Sequence, residues 1–113
     1  MTRLYLPTTF DQLRQLLAGA AIDPGDDAVS AENDSEEAEY AALMTAADAS
    51  ALRTAATGRR AVLVVEVVDP AAPVHLADVV ALHADTEDRG PDADPDDDLA
   101  WFASQEIDHL IGS

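Results

Sequence analysis

An α/β or α+β domain is the fold class this sequence predicts, and three observations predict it. Strand-like alternation and helix-like spacing take turns along the chain. One stretch, Arg60–Val68, is apolar on both alternate faces apart from Glu66, as a central strand covered on two sides requires. The length of 113 residues suits one small domain. The expectation is a single compact domain over residues 1–113 with about four strands and three helices, in the order β-α-β-α-β-β-α.

Each element has its own reason. Thr2–Leu6 alternates, with Leu4 and Leu6 on one face and Arg3 and Tyr5 on the other, and Pro7 closes the strand. Thr8 and Asp11 have capping-box spacing. The helix they open, from about Thr9 to Ala18, lines up Phe10, Leu13, Leu16 and Leu17. Gly19 stops it. A short strand is expected at Ala28–Ala31. Asp34 or Ser35 then caps a long helix to about Thr57, with Glu36, Glu37 and Glu39 favouring the positive end of its dipole. Its inward stripe is Tyr40, Leu43, Met44, Ala47 and Ala51. Arg60–Val68 follows as a strand, ended by Asp69-Pro70. Val79–Ala84 is another, with Val80, Leu82 and Ala84 on one face. The last helix runs from about Asp97 to Ile111.

Charge narrows the partners. The chain holds 23 acids and 6 bases, for a net charge of −17. Every base is Arg. Direct nucleic-acid binding is disfavoured, because that affinity comes from Lys and Arg neutralising phosphates. Anionic membrane surfaces are disfavoured on the same ground, and no apolar run is long enough to span a bilayer. The expected setting is cytoplasmic, without a signal-peptide core before Pro7. The absence of Cys removes disulfides and thiolate chemistry. Of the apolar share, 23 residues are Ala, which leaves 31 larger ones for a small, tight core.

The acids concentrate in two stretches, Asp23–Glu39 and Asp85–Asp98, with eight carboxylates each. Residues 85–98, with Gly90, Pro91 and Pro95, read as an acidic, mobile surface loop. The run from Asp92 to Asp98 resembles the start of a calcium loop. It fails at the glycine position, which is Asp97, and at the closing-glutamate position, which is Ala103. Glu106 and His109 have the spacing of a di-iron ligand pair, but the further pair and glutamates are missing. No metal and no cofactor is expected. The serines, Ser30, Ser35, Ser50, Ser104 and Ser113, lack a nucleophile elbow. His75 and His83 read as surface or sheet-face residues.

The predicted last helix holds the most informative positions. Leu99, Phe102, Ala103, Ile107 and Leu110 share its apolar arc. Trp101 points the other way, with Gln105 and Asp108 beside it, so it is either covered by another part of the chain, such as the acidic loop before it, or offered with them to a partner. Glu106 falls inside the apolar arc and needs a donor there, such as Arg3, Arg60 or Tyr5. Glu106, Tyr5, Arg60, Glu39 and Tyr40 therefore form a candidate buried polar centre.

Four segments carry a resemblance. Arg3-Leu-Tyr-Leu-Pro7 resembles the opening of a family of small actinobacterial proteins of unknown function. Glu37-Ala-Glu39-Tyr40-Ala-Ala is similar to their middle, and Arg59-Arg60-Ala-Val62 to their central strand. Leu99-Ala-Trp101-Phe102-Ala-Ser-Gln105-Glu106 is similar to their end. The resemblance implies no activity, cofactor or catalytic residue. High-GC coding would account for an Ala-rich, Lys-free chain.

The expected function is a non-enzymatic protein-binding module or small regulator, whose acids steer a basic or mixed-surface protein toward Trp101. A nucleic-acid mimic that occupies a basic DNA-binding protein is one alternative. A small enzyme with Glu106 or Glu39 as general base near Tyr5 or Tyr40 is another. Adaptation to high salt would also account for the acid excess.

Overall fold

Strand β1 (Thr2–Thr8) runs antiparallel to β2 (Ala61–Val67), β2 to β3 (Val79–Ala84), and β3 to β4 (Ala100–Ala103), in the spatial order β1-β2-β3-β4. Helices α1 (Phe10–Leu17) and α2 (Glu36–Arg53) lie between β1 and β2 in sequence, and α3 (Ile107–Ile111) follows β4. The structure, a computed structural model, describes residues 1–54, 58–90 and 92–111. Thr57, Pro91 and Ser113, named above, lie outside the described residues. Among the described residues the result is a compact mixed α/β domain with four antiparallel strands and three α-helices.

Strand alternation sends side chains to two cores. Leu4, Leu6, Leu63, Val65 and Leu82 meet Leu13 and Leu16 of α1 and Ile107 of α3 on one face. Full burial of each such leucine contributes roughly 1.5–3 kcal/mol. Tyr5, Val62, Val64 and Ala81 meet Ala42, Leu43, Ala46 and Ala47 of α2 on the other. The expected inward stripe of α2 holds at Leu43, Met44 and Ala47, is joined by Ala42 and Ala46, and is corrected at Tyr40. Small side chains face the sheet and bring the helix close, which turns Tyr40 outward to 49% exposure.

Ser50 ties this layer together. Its buried hydroxyl donates to the Thr8 carbonyl at 2.7 Å and accepts from the Ala61 N–H at 2.9 Å. One side chain thereby satisfies the adjoining ends of β1 and β2.

Other sequence expectations hold at Gly19 and Ser35 and change elsewhere for physical reasons. Thr9, not Thr8, caps α1, with its oxygen accepting from the Gln12 N–H at 3.1 Å. Gly19 turns the chain at a φ of +102°. Ser35 caps α2 by accepting from the Ala38 N–H at 3.1 Å. The expected strand at Ala28–Ala31 contracts to a single bridge in which Val29 and Tyr5 exchange both backbone bonds. That bridge covers the outer edge of β1. In β3 a bulge opposite Val64 and Val65 turns Val80 outward, so Val79, Leu82 and Ala84 enter the core instead.

The largest correction concerns the last helix. Residues 100–103 pair with β3 as a strand, and helical structure begins only after them. Phe102 packs on the first core from either conformation, so its spacing did not discriminate. Ladder bonds to β3 and the fit of aromatics to a pleated surface decide for the strand. The Glu106 carboxylate then accepts the Ala103 N–H at 2.9 Å, where the chain turns into the Ser104–Glu106 3-10 turn. The element order is therefore β-α-α-β-β-β-α.

Candidate functional site

Helix α2 packs on β1 and β2 and reaches β3 at Ala81, while farther along the same face Trp101 of β4 stays exposed beside a half-buried His83. A groove of about 480 Å³ results. Its sheet side carries Tyr5, Val64, Ala81, His83 and Trp101, and its helix side Glu36, Glu39, Tyr40 and Leu43. Trp101 stands directly opposite His83 in the strand register and is 59% exposed. An exposed indole on an uncovered sheet face gives the groove a flat, rigid contact surface.

The rim is polar. Arg3 closes one end, donating to Glu66 at 2.8 Å and to Glu39 at 3.2 Å. The Tyr40 hydroxyl donates to Asp98 at 2.9 Å and so links α2 to the start of β4. This bond, more than nearby acids, raises the Tyr40 pKa above the ordinary tyrosine value. Burial raises that of Tyr5, and the charge of Glu39 adds to it. Burial lowers the pKa of His83, which favours its neutral imidazole.

Arg60 organises the acidic loop beside the groove. It is 1% exposed and forks onto Asp85, with its NεH at 2.9 Å and an Nη at 2.8 Å. It also donates to the carbonyls of Pro95 at 3.2 Å and Asp97 at 2.8 Å. Arg89 donates to the Asp94 carbonyl. Burial works against ionisation of Asp85, but bonds from the Arg60 side chain and N–H outweigh it and hold the carboxyl below its ordinary value. Arg60 thus touches the acidic stretch near both of its ends, at Asp85 and at Asp97.

A second hollow of about 410 Å³ gathers Arg14, Arg53 and Arg59 at the start of α1. Each guanidinium there has an acid of its own: Asp11 at 2.8 Å, Asp27 at 2.9 Å and Asp88 at 3.8 Å. Arg59 also lies over the Phe10 ring, 5.3 Å from its centre. The hollow offers no uncompensated positive charge to an anion.

The candidate buried polar centre does not form. Tyr5 and Arg60 are buried, Glu39 is half-buried, and Tyr40 and Glu106 are exposed. Arg60 turns to Asp85 and Arg3 to Glu39 and Glu66, so neither meets Glu106. The strand at 100–103 removes Glu106 from the apolar arc it would occupy on a helix. Its burial, which made it a candidate base, is absent. Trp101 lies in the groove, but Gln105 and Asp108 do not line it. Both are exposed, beyond the turn that follows β4. Ser50 serves the backbone and has no access to a substrate. Among the described residues, no group of three or more His, Asp or Glu converges as metal ligands do.

His83 was missed as a groove residue. Its signal was available: in β3 it alternates with Ala81, and the cross-strand position needs only β4 to be read as a strand. Nothing in the sequence marks Val64 or Ala81 as groove-lining.

Fold and groove define a small mixed α/β domain with one half-covered sheet face and an exposed tryptophan on it. The chain belongs to a family of unknown function, DUF6912, which matches residues 2–111. No curated protein and no solved structure matches it. No helix among the described residues is long and apolar enough to cross a membrane.

Proposed function

We propose that this protein is a non-enzymatic protein-binding module whose groove, floored by His83 and Trp101, receives a basic partner in the cytoplasm. The observation that carries this reading is the 59% exposure of Trp101 on a sheet face that α2 covers only in part among the described residues. Large exposed aromatics beside a hollow are the usual energetic anchors of interfaces. The net charge of −17 supplies long-range attraction for a basic surface and repels acidic ones. The order of the four motifs supports a place among actinobacterial proteins of this family.

Capture from native lysate, at low and at physiological salt, tests this reading with Trp101→Ala as control. A stoichiometric partner that survives salt and is lost from the variant supports it. A mixture of basic proteins that vanishes with salt and ignores the substitution overturns it.

One observation favours nucleic-acid mimicry as a second reading. Arg60 holds the Asp85 carboxylate and the backbone of Pro95 and Asp97, which sets several of the surrounding acids on a common frame, as a phosphate-like array requires. Competition with DNA for the captured partner tests it, and co-binding with DNA overturns it.

A further inference from the structure

The two edges of the sheet differ. The outer edge of β1 is covered at Tyr5 by Val29. Strand β4 pairs with β3 on one side and with no described residue on the other. Natural edges are guarded by charges, proline, bulges or a covering segment. Strand β4 is short, which itself limits pairing, but its four residues, Ala-Trp-Phe-Ala, contain no charge, proline or bulge, and no described residue pairs with their outer side.

The register identifies the exposed backbone groups. Arg60 and Asp85 exchange bonds across β2 and β3. Bonded pairs alternate, so Leu82 and Ala84 turn their backbone groups toward β4, where they meet Phe102 and Ala100. The N–H and C=O of Trp101 therefore point outward, and by the same alternation so do those of Leu99. The Ala103 N–H also points away from β3 and is taken by the Glu106 carboxylate. Glu106 thus terminates the free edge at one end, while Asp97 and Asp98 flank it at the other.

We infer that β4 is a strand-addition site, and that its occupant is an extended, Lys- or Arg-bearing segment of a partner protein. This rests on the binding reading above and specifies its mode. An incoming strand exchanges backbone bonds with Trp101, which places its opposing side chain on the groove face beside the indole. A cation there stacks on the indole. Basic residues farther along the segment approach the acids that flank the strand, Asp97 and Asp98 at one end and Glu106 at the other. Pairing between two copies of this chain would join two bodies of charge −17 at their acidic ends, so a basic segment is the better occupant.

The test uses the intact protein and a short peptide of alternating lysine and valine. A second peptide of the same sequence carries N-methyl groups on the amides that would face β4. NMR follows the Trp101 amide, the Leu99 amide and the Trp101 indole, and a variant, Trp101→Ala, repeats the titration. The expected result is that the plain peptide binds at least tenfold more tightly than the methylated one. It also slows hydrogen exchange of the Trp101 and Leu99 amides at least tenfold. Equal binding of both peptides, with shifts at the indole but none at these amides, overturns strand addition and leaves the groove reading intact. No shift at indole or amides with either peptide overturns both. Slowed amide exchange in the protein alone, rising with its concentration, overturns the basic occupant in favour of a second copy.

Discussion

Trp101 and His83 face each other across β4 and β3, on the half of the sheet that α2 leaves open. The pair couples a fluorophore, the sole tryptophan of the chain, to a histidine whose pKa burial holds below its ordinary 6.5. Glu36, Glu39 and Tyr40 face them from α2. Protonation of His83 is therefore readable at the indole.

Tryptophan emission is expected to fall as pH drops, with a midpoint below 6.5, and His83→Gln is expected to abolish that step. Stability follows the same group. The unfolded chain takes up the proton first, so stability declines as pH falls below about 6.5 and levels off below the folded pKa. Urea titrations of both proteins across this range measure it. A pH-independent emission in the parent protein contradicts the assignment.

Removal of the Arg60 guanidinium leaves Asp85 charged, mostly buried and without its main partner. Arg60→Met is expected to cost about 3–5 kcal/mol, seen as a lower urea midpoint. Limited proteolysis is expected to shift to residues 85–98. Asp85→Leu added to it should recover part of the loss, because no orphaned charge remains. The Asp85 carboxyl titrates below its ordinary 3.8, so its contribution is present above that pH and lost as pH falls through the range below.

Ser50→Ala deprives the Thr8 carbonyl and the Ala61 N–H of their buried partner. A loss of about 1–3 kcal/mol is expected, from denaturant unfolding. Ser30→Ala, at an exposed position, is expected to change little.

Self-repulsion from a charge of −17 is expected to make stability rise with KCl. The Debye length shrinks from about 30 Å at 0.01 M to about 3 Å at 1 M. Thermal midpoints over this range check it. A rise that continues steeply toward molar salt favours high-salt adaptation as the origin of the acids.

The central strand, the α2 cap and the first helix were legible because local pattern and tertiary demand agree there. Ala61–Val65 is apolar on both faces because both faces are covered, and Ser35 and Gly19 do what their chemistry favours. The last segment was misread because Leu99, Phe102 and Ile107 fit a helical arc, while Ala100–Ala103 is short and gains its ladder only from β3, sixteen or more residues away in the chain. That one error moved Glu106 inward on paper and placed Gln105 and Asp108 beside Trp101. The outward direction of Trp101 survives it, since strand alternation also separates Trp101 from Phe102. The asymmetric cover by α2 is a tertiary fact with no local signal.

The most direct measurement is calorimetric titration of the salt-resistant partner against the intact protein and Trp101→Ala, with circular dichroism confirming that the variant is folded. An anchor worth about 2 kcal/mol weakens binding about 30-fold when truncated, and a loss of at least that size is expected. An affinity unchanged within twofold would contradict the binding groove.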